Sequence, residues 1–203
     1  MHRALAVDPA TGVERPVAVK VQYPGVDEAI AADLRNADLL GKLLEQGFAG
    51  LDPTEMVTEI KARLTEELDY RAEARNQARF AAFYRGHPFI HVPAVVRGLS
   101  TSRVLTTELV NGRTWDDLLA EPAEARDRAG EIIFRFVFRS LYRMHSFNGD
   151  PHPGNYLFHD DGTVTFLDFG LVKQFTDPEI ATFARMVRAA AVDHNPAEFR
   201  RAV

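Results

Sequence analysis

The chain has 203 residues, 46% of them hydrophobic, a formal net charge of -5 and no cysteine. That length can bury one good core or two smaller lobes. The missing cysteine excludes a disulfide framework, a thiolate metal site and a cysteine nucleophile, and it suits a reducing, cytoplasmic setting. Charges of both signs are interspersed, so no basic footprint for nucleic acid is present. No run of about 18 apolar residues marks a membrane span, and Met1-His2-Arg3-Ala4 lacks the basic-then-apolar pattern of a signal peptide.

In chain order, Ala4 to Val7 and Pro16 to Gln22 read as strands joined by the turn-forming Asp8-Pro9-Ala10-Thr11-Gly12. Pro24-Gly25 ends the second. Residues 26–48 place Ile30, Leu34, Ala37 and Leu44 near one helical face. Asp52, Pro53 and Glu55 then form a helix-start signal, followed by Val57, Ile60, Leu64 and Leu68 at helical spacing. The helical pattern persists to about Tyr84, a length that implies a break, and Gly86-His87-Pro88 stops it.

Strands are expected over Pro93 to Val96 and Arg103 to Val110, with Asn111-Gly112 closing the second. Thr114 and Asp117 form a capping box for a short helix. A long apolar helix spans Ala123 to His145, where His145 is a core or capping residue. Tyr156 to Phe158 and Val164 to Leu167, linked by Asp160-Asp161-Gly162, form a hairpin. A final helix begins near Asp177-Pro178 and runs to the end.

The chemistry concentrates in Gly149-Asp150-Pro151-His152-Pro153-Gly154-Asn155 and Phe166-Leu167-Asp168-Phe169-Gly170. Phosphoryl transfer needs a carboxylate facing the acceptor hydroxyl or water, together with oxygen ligands that hold Mg²⁺ against phosphate. Asp150 precedes Asn155 by five residues, the spacing of a kinase catalytic loop, and a hairpin then delivers Asp168 in Asp-Phe-Gly. Upstream, Val17-Ala18-Val19-Lys20 matches the strand whose lysine pairs with nucleotide phosphates. Asp69 and Glu73, four apart on a helix rich in carboxylates, share a face, and either can meet Lys20. His152, between two prolines, shapes the loop, and Trp115 is a packing residue. None of the seven histidines suggests a metal site; His87 and His91 are separated by Pro88 in an extended segment.

At these residues the chain resembles the UbiB/AarF/ADCK family of atypical kinases. The matching segments are Val17 to Gly25, Glu67 to Asn76, Val104 to Glu108 and Asp150 to Gly170. The Pro-Gly after the lysine strand and the Glu-x-Asp of Glu67 and Asp69 are particular to that family. The resemblance implies an α+β, protein-kinase-like two-lobed fold: a partial N-lobe with a small antiparallel sheet over residues 1–110, and a mainly helical C-lobe over 111–203. It implies ATP and Mg²⁺ as cofactors, with Lys20 on the phosphates, Glu73 as its ion-pair partner, Asp150 as catalytic-loop carboxylate, and Asn155 and Asp168 on the metal. Residues near Glu108 form the adenine hinge, and Glu67 and Asp69 engage a family-specific N-terminal extension.

Three features depart from the family pattern. Only 19 residues precede Lys20, without the Lys-x-Gly-Gln element and alanine-rich loop over the phosphates, so a truncated start is expected. Asn148 stands where the family commonly has His. The chain stops 33 residues after Gly170, so an incomplete larger lobe is expected.

Six residues separate Gly170 from Asp177-Pro178-Glu179, too few for the peptide platform of a protein kinase, and His152 replaces that class's catalytic-loop lysine. The reading is an ATPase or small-molecule kinase supporting quinone-lipid metabolism, with a lipid or small molecule as acceptor, no nucleic-acid partner, and peripheral membrane contact left open. The alternatives are an aminoglycoside- or choline-kinase-like phosphotransferase and a non-catalytic nucleotide-binding module.

Overall fold

The structure is a computed structural model that describes residues 1–7, 9, 11–25, 58 and 69–202. The helices expected over 26–48 and from Asp52 to Leu68 lie outside the described residues, as does Glu67. In chain order the elements are β1 (His2–Val7), β2 (Glu14–Val21), α1 (Tyr70–Phe83), β3 (Ile90–His91), β4 (Val104–Glu108), α2 (Trp115–Leu119) and α3 (Ala123–Met144). There follow β5 (Ser146–Asn148), β6 (Tyr156–Phe158), β7 (Val164–Phe166), β8 (Val172–Gln174), α4 (Asp177–Val187) and α5 (Pro196–Ala202). They form two compact units: Met1–Ala82, Val92–Asn111 and Asp168–Gly170 make the first, and Phe83–His91, Gly112–Leu167 and Leu171–Val203 the second.

The first unit holds an antiparallel sheet in the order β1-β2-β4. The β1–β2 hairpin turns through Gly12 at φ 70°, a left-handed conformation that glycine adopts without steric cost. Val17 and Leu105 are buried in this sheet, and Lys20 lies opposite Leu105 in the register. Helix α1 begins after Asp69, whose carboxylate accepts the Arg71 N–H at 3.0 Å, satisfying one free donor of the first turn. Its buried positions, Glu73, Gln77 and Phe80, recur at the three- and four-residue spacing of one helical face. Gln77 donates to the Pro93 carbonyl at 2.8 Å, which gives its buried amide a partner.

The strand expected over Pro93 to Val96 is reduced to a single bridge, Val95 to Thr107. Pro93 has no N–H to donate, its carbonyl is taken by Gln77, and a 3₁₀ turn begins at Arg97. The extended pairing falls earlier, at β3, which runs parallel to β7. The strand expected to Val110 ends at Glu108.

In the second unit, α3 presents Ala129, Ile132, Phe136 and Ser140 as a buried stripe. Phe136 stacks on Phe166 of β7 with ring centroids 3.7 Å apart and planes 13° from parallel. β7 is the middle strand of the β3-β7-β6 sheet, and Val164, Thr165 and Phe166 are all buried. The β6–β7 hairpin turns through Gly162 at φ 78°, with the Asp161 carboxylate accepting the Thr163 N–H at 2.8 Å. Trp115 is a packing residue as expected, its ring 6.2 Å from Tyr156 and 6.0 Å from Phe158. The expected Thr114–Asp117 capping box forms at the start of α2.

His145 caps α3 from the left-handed region at φ 52°, with its N–H on the Ser140 carbonyl and Nδ1 3.1 Å from Asp177. The short β5–β8 pair was not legible in sequence; three residues per strand leave no alternation to read. The final helix is interrupted. After α4 comes a π-helical turn, Arg188–Val192, then His194 at φ 45°. Asn195 restarts the helix as α5 by accepting the Ala197 and Glu198 N–H groups at 3.1 Å each.

Candidate functional site

Five of the sequence-predicted site residues fall in two clusters, Lys20, Glu73 and Asp168 in the first unit and Asp150 and Asn155 in the second. In the first, Lys20 reaches from β2 to Glu73 on α1, with Nζ 3.0 Å from Oε1 and 2.9 Å from Oε2. The same ammonium lies 3.2 Å from Asp168 Oδ2. Of the two carboxylates that could meet Lys20, Glu73 does so, while Asp69 is turned to the Arg71 N–H at the helix start. Glu73 is nearly buried, and the lysine and Asp168 side chains keep 25% and 31% of their exposure. Lys20 also lies 5.2 Å from the centroid of the Tyr70 ring, within cation–π range.

Burial alone would pull the Lys20 ammonium down, but the charges of Glu73 and then Asp168 reverse this and hold it above the usual lysine value. Glu73 moves in the same direction for a different reason. Burial and the Asp168 charge push its carboxyl up, and the opposing pull of Lys20 does not cancel them. The cluster therefore carries one cation against two carboxylates, and an additional cation would relieve their repulsion.

The Asp-Phe-Gly turn is held by side chains of α1. Phe169 accepts from Asn76 Nδ2 at its carbonyl, at 3.2 Å. Its fully buried ring packs 4.8 Å from Phe80. The Gly170 N–H closes on Asp168 Oδ1 at 2.9 Å, and a Cβ at Gly170 would stand 3.2 Å from that oxygen. Sequence reasoning missed Asn76 and Tyr70. For Asn76 a signal existed: it lies three residues after Glu73, on the same helical face.

In the second unit, the 3₁₀ turn Pro153–Asn155 folds the catalytic-loop motif onto itself. Asn155 Nδ2 donates to Asp150 Oδ2 at 3.0 Å and to the Asp150 carbonyl at 3.2 Å. His152 shapes this turn as expected, accepting the Gly154 N–H at Nδ1 at 3.0 Å. Asn148 accepts the Asp150 N–H at 3.3 Å, and the Asn155 carbonyl accepts from Leu167 N–H at 3.0 Å. Asp150 itself is exposed.

Glu108 stands at the end of β4, with its N–H on the Ala94 carbonyl at 2.8 Å and its Oε2 accepting the Ala94 N–H at 3.2 Å. Among the described residues, no group of three or more acidic or histidine side chains could hold a metal ion unaided, and no helix is long and apolar enough to cross a membrane.

An α+β fold with a lysine strand paired to a helix glutamate and to the aspartate of Asp-Phe-Gly defines a protein-kinase-like domain. The ABC1 atypical kinase-like domain matches residues 2–201, and the chain belongs to that family. It is 35% identical over 173 residues to the chloroplastic protein Activity of BC1 complex kinase 3 of Arabidopsis thaliana, covering 83% of this chain and 24% of that protein. It is 34% identical over 176 residues to the mitochondrial atypical kinase COQ8B of Rattus norvegicus, covering 86% of this chain and 33% of that one. Among solved structures, the Rv3197–erythromycin complex from Mycobacterium tuberculosis superposes with a TM-score of 0.78 at 34% identity, over 93% of this chain and 48% of that one. The chain thus spans between a quarter and a half of the length of these relatives.

Proposed function

We propose that this chain contains the ATP-binding centre of a UbiB-type atypical kinase or ATPase, acting on a lipid or small-molecule acceptor, or on water, in support of quinone-lipid metabolism. The observation that carries the reading is the Lys20–Glu73–Asp168 cluster, in which a strand lysine is fixed by a helix carboxylate beside the Asp-Phe-Gly aspartate.

The family resemblance assigns magnesium to Asp168 and Asn155; each side chain carries a hard oxygen, and a phosphotransfer site needs few protein ligands because phosphate oxygens and water complete the shell. When bound, Mg²⁺ would neutralise charge on the phosphates. The chain's residues do the rest. Lys20, held by Glu73, takes the nucleotide phosphates; backbone following Glu108 takes the adenine edge. Asp150 accepts a proton from the acceptor hydroxyl or orients water, and Asn155 fixes one of its oxygens. Glu67 and Asp69 serve the family's N-terminal extension. The names of the curated relatives, among them COQ8B and the probable protein kinase UbiB of Xanthomonas oryzae, favour this reading over an aminoglycoside-type enzyme.

Thermal melting with nucleotide is the test. Mg²⁺ with ATP or ADP raises the melting temperature, and Asp168→Asn reduces the rise. ATP hydrolysis without added acceptor is lost in Asp150→Asn. No nucleotide-dependent shift in the wild type rejects the whole proposal, and a shift without turnover leaves a binding module.

A further inference from the structure

One face of α1 flanks Phe169 and Gly170. Glu73 Oε2 would stand 3.9 Å from a Cβ at Gly170, Asn76 Nδ2 donates to the Phe169 carbonyl at 3.2 Å, and Phe80 packs against the Phe169 ring at 4.8 Å. These residues recur at intervals of three and four, so a single rotation of the helix brings all of them to the turn. The grip is not redundant. Glu73 is shared with Lys20, whereas the ring contact fixes a side chain and leaves the peptide planes free to rotate. Asn76 is neutral at every working pH, and its amide donor ties the peptide that follows Phe169. That peptide carries the Gly170 N–H, which closes on Asp168 Oδ1 at 2.9 Å.

We infer that Asn76 is a positioning residue, a charge-independent latch that holds the Phe169–Gly170 peptide so that Asp168 stays oriented for a metal-bound nucleotide. Its consequence for ligand binding rests on the proposed ATP–magnesium reading; the latch itself does not.

The test uses Asn76→Leu, which matches the shape, removes the donor and improves helix propensity. In the nucleotide-free protein, hydrogen exchange at the Phe169 and Gly170 amides rises about fivefold, the size expected for one neutral hydrogen bond, while exchange in β1 and β2 is unchanged. In binding assays, affinity for ATP with Mg²⁺ falls by a similar factor and metal-free ATP affinity stays within about twofold. Asn76→Gln, which keeps an amide donor, restores part of both. Should Asn76→Leu lack a cooperative melt, Asn76→Ala, which removes the donor and adds no charge, carries the same expectation. Unchanged exchange at Phe169 and Gly170 in a folded donor-less variant overturns the latch. Raised exchange in a protein that binds no nucleotide would uphold the latch and reject the function instead, so the two failures are distinct.

Discussion

Glu73 meets Lys20 through both carboxylate oxygens, at 3.0 and 2.9 Å, across 53 residues of chain. The pair is asymmetric in what it costs: Glu73 is almost fully buried, whereas a quarter of the lysine side chain remains exposed. Removing the lysine strands a buried carboxylate that already faces Asp168.

Lys20→Met should therefore destabilise the protein by about 2 kcal/mol at pH 8, below the roughly 3–5 kcal/mol of fully buried pairs because solvent still screens this one. Without its cation, Glu73, whose carboxyl burial and Asp168 already push up, rises further and takes a proton as the pH falls. The penalty is present above that raised value and relieved below it. Thermal melts at pH 8 and pH 5 check this, with a smaller loss expected at pH 5. Equal losses at the two pH values would show that Glu73 is not the stranded group.

The acid limb of stability has a separate origin. Asp117, Asp161 and Glu179 are held below their ordinary values of 3.8, 3.8 and 4.5, first by the backbone N–H groups they accept from Thr114, Thr163 and Thr176 and then by the hydroxyls of the same threonines. Depressed carboxyls stabilise the fold above their unfolded values, and that contribution is lost as the pH falls through the lower folded ones. Melting temperature should decline from about pH 4.5 downward. The combined variant Asp117→Asn, Asp161→Asn and Glu179→Gln keeps an acceptor at each position but no longer titrates there, so its decline should be shallower. Superimposable curves would locate the acid sensitivity elsewhere.

How much was legible follows from which interactions are local. The Thr114–Asp117 box, the Gly162 hairpin and α3 were readable because caps, turns and helical stripes lie within a few residues of one another. The family motifs at Lys20, Asp150, Asn155 and Asp168 were legible because their spacing is fixed by chemistry. Whether Asp69 or Glu73 meets Lys20 was not, since both share a helical face; the choice is made where the helix begins, with Asp69 spent on the Arg71 N–H. The strand misplaced onto Pro93–Val96 shows tertiary contacts overriding propensity. Gln77 takes the Pro93 carbonyl, and pairing moves to Ile90–His91, whose partner lies more than 70 residues away. Asn76 was overlooked because its partner, the Phe169 carbonyl, lies 93 residues away in sequence.

The core of the second unit offers a prediction of known sign and size. Tyr84 donates its hydroxyl to the Phe136 carbonyl at 3.2 Å and lies 2.8 Å from Ser140 Oγ. Burial pushes the phenol up, so it remains a donor through the neutral range. Tyr84→Phe should cost about 1 kcal/mol, the net worth of a buried hydrogen bond, because the Ser140 hydroxyl can turn to the carbonyl four residues back along its own helix. Ser140→Ala should cost a similar or smaller amount, and the double variant less than the sum, since the two hydroxyls share one bond. Phe166→Ala, which empties the stack against Phe136, should cost about 3–5 kcal/mol by cavity formation. Urea unfolding of the four variants separates these cases. A Tyr84→Phe loss as large as that of Phe166→Ala would mean that the hydroxyl network, rather than the aromatic stack, holds α3 against β7.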